Sequence, residues 1–184
     1  MDALETKYTR IEYERRFLVL PGATWKSRIE PYSKTYEDKY LADTRLRLRI
    51  LTDADTGRRV IKLNKKFESD SAYFRNVGRI LLSPGEYELI NRIKGDRLKK
   101  TRHYHHYHRR VFSIDVFEGE LEGLILCEIE AESLEELISV EPPPYAKFEV
   151  TEDPFFTGGN LCRTSRSELR QKLTMIIART SGTG

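Results

Sequence analysis

Residues 44–50 read Thr-Arg-Leu-Arg-Leu-Arg-Ile, and their alternation decides the fold class. Leu46, Leu48 and Ile50 share one parity and Arg45, Arg47 and Arg49 the other, the period-two pattern of a β-strand. An ordinary half-solvated strand mixes Thr, Ser, Lys and Glu on its polar face. This one offers only Arg. The pattern continues outward in both directions. Residues 59–67 set Ile61 and Leu63 against Lys62, Asn64 and Lys66, and residues 10–20 set Ile11, Tyr13 and Phe17 against Glu12, Glu14 and Arg16. Lys100 and Arg102 share a parity in 98–104. Residues 111–117 set Phe112, Ile114 and Val116 against Ser113 and Asp115, and 124–132 set Ile125, Cys127, Ile129 and Ala131 against Glu128, Glu130 and Glu132. Further strands are expected near 35–41, 73–82 and 146–151.

Helices are fewer. Ser83-Pro84-Gly85-Glu86 has the form of a capping box with Pro at the first helical position. Tyr87, Ile90 and Ile93 then share a face, and Gly95 is the expected stop. Ser133 to Glu136 opens a short helix ahead of Pro142-Pro143-Pro144. Ser165 to Glu168 opens a third, with Leu169, Leu173, Ile176 and Ile177 at helical spacing and Arg166 and Arg170 outward. This last helix reads as a cover for the sheet rather than a nucleic-acid reader. The chain reads as one strand-rich α+β domain over residues 1–180.

Composition narrows the class. The 184 residues carry 32 Lys and Arg against 29 Asp and Glu, a net charge of +3, so anion binding must come from segregated charge rather than excess. Two cysteines make neither a disulfide framework nor a four-cysteine zinc site, and suit a reducing cytoplasm. No apolar run approaches the roughly 18 residues of a membrane-spanning helix.

The chemistry lies on the polar faces. Like charges two residues apart on a strand sit about 7 Å apart and repel unless an opposite charge lies between them. An isolated pair reads as a solvated face. Repeated over five or six strands, the pattern asks for a common space. Glu12/Glu14 and Glu128/Glu130 converging there would suit a hard cation, Mg²⁺ or Mn²⁺, which take carboxylate oxygens. Arg47, Arg49, Lys62, Arg75, Lys100 and Arg102 facing the same space would suit a phosphate-rich polyanion, because guanidinium forks bind phosphate oxygens in bidentate fashion. A closed barrel with a wide, wet, charged interior supplies that space. His103, His105, His106 and His108 read as an exposed hairpin turn rather than a metal cluster, since neighbouring strand positions face opposite ways. Cys127 has core parity, and Cys162 shows no activating partner.

Ile11-Glu12-Tyr13-Glu14-Arg15-Arg16 resembles the E-x-E-x-K signature of the CYTH domain, the triphosphate tunnel metalloenzymes. The resemblance runs in order through Leu46-Arg47-Leu48-Arg49, 62–67, Lys100-Thr101-Arg102, Ile114-Asp115-Val116-Phe117, 123–130, 150–153 and Asn160-Leu161, which is nearly the whole chain. It implies an eight-stranded antiparallel β-barrel tunnel with helices packed outside. It further implies a divalent-metal-dependent hydrolysis of inorganic triphosphate or short polyphosphate. Carried over by motif, Glu12, Glu14, Glu128 and Glu130 would ligate metal. Glu12, Glu14, Arg16 and Asp115 would serve the chemistry, with Asp115 assisting the metal site or its waters. Arg47, Arg49, Lys62, Arg75, Lys100 and Arg102 would bind phosphates. Two departures stand out: Arg16 takes the place of the signature Lys, and Val77 stands where many members have Glu. The same scaffold also carries nucleoside and thiamine triphosphatases and adenylyl cyclases, and a polyphosphate-binding module without turnover is the alternative from another class.

Overall fold

The computed structural model describes residues 9–20 and 22–181. Nine strands follow in chain order: β1 (Thr9–Val19), β2 (Ser33–Leu41), β3 (Leu46–Asp53), β4 (Arg59–Lys66), β5 (Phe74–Leu81), β6 (Gly95–Tyr107), β7 (Arg110–Phe117), β8 (Ile125–Ala131) and β9 (Ala146–Glu149). The order across the sheet is β5-β4-β3-β2-β6-β7-β8-β1-β9, and β5 also pairs with β1. The first eight strands therefore close into an antiparallel barrel. Closure falls to β1. One edge pairs with β8 over Tyr13–Leu18, while the other takes β5 over Thr9–Tyr13 and then β9 over Phe17–Val19.

Local chemistry sets the turns. Asp53 Oδ1 accepts from the backbone N–H of Thr56 at 2.9 Å, and Gly57 supplies the left-handed residue that returns the chain into β4. The β6–β7 hairpin turns on His108 and Arg109, both left-handed (φ 45° and 62°), the backbone that two-residue hairpins with matching twist require. Only His108 of the four histidines lies in that turn. His103, His105 and His106 belong to β6, and His105 is buried with its Nδ1 2.6 Å from the Tyr145 hydroxyl. The expected exposed turn is thus shorter than the sequence suggested.

Helix α1 (Pro84–Ile90) starts in the expected capping box but stops at Ile90, capped by Asn91. Gly95 instead opens β6. A Cβ there would collide with the Tyr40 carbonyl, so glycine is demanded by the close approach of β6 to β2. Helices α2 (Leu134–Ser139), α3 (Gly158–Leu161) and α4 (Arg166–Ser181) complete the set. On α4, Leu169, Leu173 and Ile176 pack inward, whereas Ile177 is 40% exposed and falls off the buried stripe. No helix among the described residues is long and apolar enough to cross a membrane.

Two apolar clusters position the site. The first lies outside the barrel: Phe17, Phe112, Ile114, Cys127 and Ile129 turn outward beneath Trp25, Leu137, Val140 and Tyr145. Ile11 has the same outward parity but is 42% exposed, because nothing described covers that end of β1. The second lies on the inward parity. Leu18, Leu98, Phe117 and Leu126 fill one sector of the barrel at one end, closed by Phe156 and Leu161. Truncating a buried Leu here costs about 2–5 kcal/mol, so this sector is firmly packed.

Candidate functional site

Above the apolar sector the interior changes to charge within one residue pair of each strand. Leu18 gives way to Arg16 and Glu14, Leu98 to Lys100 and Arg102, and Leu126 to Glu128 and Glu130. Together with Glu12, Arg47, Arg49, Lys66, Arg75 and Arg79 these side chains line a cavity of about 530 Å³. Its rim carries Thr44, Arg45, Phe67, Glu68 and Asn160.

Two buried aspartates hold the cations in place. Asp38 on β2 is 3% exposed and faces β3. Its Oδ1 and Oδ2 accept from Arg49 Nε and Nη2, each at 2.6 Å, and Arg47 stands 3.9 Å away. Burial works against its charge, but Arg49 and Arg47 prevail and hold its pKa at about 2. Asp115 on β7 repeats the device. It is 0% exposed and accepts from Arg102 Nε at 2.6 Å and Nη2 at 2.7 Å, with Lys100 paired beside it. Burial opposes its charge too, yet Arg102 and Lys100 hold the carboxyl well below its usual range. Tyr36 lies under these cations, its ring 4.6 Å from Arg49 and 5.1 Å from Arg102, a cation–π floor for both forks. In the same wall, the Nε of Arg47 and the Oδ1 of its cross-strand partner Asn64 are buried with no hydrogen-bond partner among the described residues. A buried donor left unpaired is costly, and this one belongs to a guanidinium that lines the cavity.

The carboxylates gather on β1 and β8. Glu14 and Glu130 are direct cross-strand partners, and Glu128 faces Arg16. Glu128 pairs with Arg102, and Glu12 with Arg79 at 2.9 Å and Lys66 at 3.8 Å. Burial and Glu128 push the Glu14 carboxyl up, but Arg16 and Lys66 outweigh them and its pKa falls. Glu130 goes the other way: desolvation first, then Glu14 and Glu12, raise it. Its nearest charged neighbours are acids. The donor set is all carboxylate, the kind Mg²⁺ and Mn²⁺ take, and so fits the metal in kind. Among the described residues, however, no group of three or more His, Cys, Asp or Glu side chains is disposed to hold an ion.

The barrel brings Glu12, Glu14, Arg16, Arg47, Arg49, Arg75, Lys100, Arg102, Glu128 and Glu130 to one cavity. It leaves Asp115 beneath the lining, under Arg102 and Lys100. Lys62 has the inward parity opposite Arg49 but stands outside the lining; burial and then Arg79 and Arg49 depress its pKa. Val77 is buried beside its cross-strand partner Lys66. Sequence reasoning missed Asp38 and Arg79, kept Lys66 only as part of a polar strand face, and named Tyr36, with Tyr40 and Phe67, only as an aromatic contact for an organic head group. The signal for Asp38 was Tyr36-Glu-Asp38-Lys-Tyr40, an alternation that puts a lone Asp on the face opposite Arg49.

No family model matches the chain, and no curated protein matches it either. Solved structures do. A structure described as the inorganic triphosphatase NE1496 is 24% identical, with a TM-score of 0.54 over 83% of this chain and 95% of that one. A second structure of NE1496, described as a hypothetical protein, is also 24% identical, with a TM-score of 0.55 over 84% of this chain and 99% of that one. The fold is that of NE1496. The tunnel-type barrel expected from the resemblance is therefore present, and NE1496 spans almost all of its own length on this chain's barrel. At this identity the likeness to NE1496 establishes architecture, and the function must be argued from the cavity.

Proposed function

We propose that the protein is a divalent-metal-dependent triphosphatase that hydrolyses inorganic triphosphate, or a short linear polyphosphate, inside the barrel. The observation that carries this reading is the pair of buried aspartates, Asp38 and Asp115. Each holds an Arg fork rigidly beneath the cavity and neutralises only part of the cation around it. Such pre-placed donors are what a phosphoryl-transfer site needs, because its catalysis is mostly positioning and charge stabilisation. Arg47, Arg49, Lys100 and Arg102 would grip the phosphate oxygens, and Arg47 brings an Nε–H that no described residue satisfies. Glu12, Glu14, Glu128 and Glu130 would hold the metal, which supplies charge neutralisation on the phosphate oxygens when bound. A carboxylate of this cluster that the metal leaves free would take the proton from the attacking water. The likeness to NE1496 supports the reading at the level of fold.

The cavity also bears on the substrate. Most of its apolar lining, Leu41, Leu98, Phe117, Leu126, Phe156 and Leu161, is packed to 6% exposure or less, which leaves the half-buried Tyr40 and Phe67 as the aromatic surface for an organic head group. Phe67 at the rim has its ring occupied by Lys65, 4.8 Å from the centroid. This favours an all-phosphate substrate over nucleotide or thiamine triphosphates. The test is phosphate release from inorganic triphosphate, ATP and thiamine triphosphate, each with Mg²⁺, with Mn²⁺ and with chelator. Triphosphate should lead, and Glu128→Gln should abolish release while the fold persists. Turnover that survives in chelator, or a clear preference for ATP, would overturn the reading.

A further inference from the structure

We propose that Arg16 is a resident counter-ion that holds the carboxylates in the absence of metal and must let go of them for a divalent cation to bind. The inference rests on the metal-dependent reading above and says how this chain regulates access to that site. Arg16 is 9% exposed and sits on β1 directly opposite Glu128 of β8. Its Nε donates to Glu14 Oε1 at 3.2 Å and lies 3.4 Å from Glu128 Oε1, and its Nη2 pairs with Glu14 as well. One guanidinium therefore spans a carboxylate on each of the two strands that carry the acidic pairs. Its remaining Nη1 donates to the Phe156 carbonyl at 3.2 Å, on the segment that closes the apolar sector. The backbone on either side is fixed too, since its N–H donates to Thr151 Oγ1 at 2.9 Å.

The physical consequence follows from what a guanidinium is. It is planar, stays charged, and presents donors in a fixed fork, so it satisfies two carboxylates at once and cannot surrender its charge to make room. A Lys at the same position would place a single compact ammonium on a flexible stem. The site thus starts with its cation position filled from the protein itself, which accords with carboxylates that are right in kind while, among the described residues, no three are disposed to hold an ion. A divalent ion must compete with an intramolecular partner, and the apparent affinity falls by the stability of that contact. Metal binding would also free a guanidinium inside a phosphate-binding cavity.

The test is Mn²⁺ binding without substrate, by titration calorimetry, to wild type, Arg16→Lys, Arg16→Gln and Arg79→Gln. Among the described residues Arg79 pairs with Glu12 alone, and its side chain is 47% exposed, so it controls for the simple loss of one positive charge. Arg16→Gln should bind Mn²⁺ at least about tenfold more tightly than wild type, Arg16→Lys should fall between, and Arg79→Gln should change affinity by about threefold or less, since exposed pairs contribute little. Folding of each variant is checked by circular dichroism. The same question is asked of wild type by ¹⁵N NMR of the Arg16 Nε–H, which should shift and exchange faster as Mg²⁺ is added. Equal affinity of wild type and both Arg16 variants, or an Nε–H unmoved at saturating Mg²⁺, overturns the role of Arg16 alone. Mn²⁺ binding to Arg16→Gln but not to wild type supports it. Absence of binding to every folded variant overturns both this inference and the metal-dependent reading beneath it.

Discussion

Asp115→Asn is the most informative single change, because it separates a carboxylate that serves metal or water from one that holds cations in place. Asn keeps the size, so packing is unchanged, but the charge is lost and one of the two accepting oxygens becomes an NH2 donor facing the cations. In wild type Asp115 is fully buried and pairs with both Arg102 and Lys100. Removing one partner of a buried ion pair costs about 3–5 kcal/mol, because the other charge is left uncompensated. Arg102 retains Glu128, which places the expected loss near the lower end, about 3 kcal/mol. For a chain of this size that is a fall of about 6–12 °C in Tm. The pH dependence has a definite sign. The folded carboxyl is depressed, so its stabilisation is complete above the ordinary Asp value of about 3.9 and is lost as pH falls through the depressed value. The gap in Tm between wild type and Asp115→Asn should therefore be full at pH 7 and close in strong acid. Calorimetry across pH 2–7 reads the full gap and the onset of its narrowing. A Tm loss under about 2 °C at pH 7 would refute the anchoring argument, since a half-solvated pair would behave that way.

Three further outcomes are expected. Asp38, Glu14 and Glu128 all have depressed values, so ligand-free wild type should lose stability as acid protonates them, whereas the raised Glu130 should give a slight gain at milder acidity that Glu130→Gln abolishes, read by Tm against pH. Triphosphate with Mg²⁺ at a hundredfold excess over Kd should add about 2.7 kcal/mol, roughly 5–10 °C in Tm; Arg47→Ala and Arg102→Ala should each blunt that shift, and equal shifts from phosphate and sulfate at matched ionic strength would leave only generic anion binding. Gly95→Ala should cost several °C in Tm although the residue carries no side chain, because its Cβ has no room against the Tyr40 carbonyl.

Much of the barrel was legible because its two faces differ so sharply in chemistry. Strand parity alone assigns Arg47, Arg49, Arg102, Glu128 and Glu130 inward, and a register slip of one residue would have reversed every one of them. What parity does not contain is depth. Asp115 and Arg102 share a face and are cross-strand partners, yet one is the buried anchor and the other lines the cavity, a distinction set by side-chain length. Parity likewise hides the apolar sector: Leu18, Leu98 and Leu126 alternate in step with the charges and differ only in their place along the barrel axis. Asp38 was missed for another reason. A single acid between two tyrosines carries no repeating signal, and its meaning appears only when β3 lies alongside. The stop of α1 was misjudged because Gly95 looks like a local terminator, whereas the constraint on it comes from Tyr40, 55 positions earlier in the chain.

The closure of the barrel by its first strand has a kinetic meaning. β1 pairs with β5, β8 and β9 and with no strand adjacent to it in sequence. During synthesis it must wait, alternating apolar and charged, while more than a hundred residues are made. Glu12 and Glu14 cannot meet Glu128 and Glu130 until β8 has emerged, so the acidic cluster is assembled late and by contacts more than a hundred residues apart. Topologies dominated by such contacts fold slowly. In refolding experiments the hairpins β2–β3, β3–β4 and β6–β7 should gain protection from hydrogen exchange before β1 does, and the capacity to bind Mn²⁺ should appear with the slowest phase.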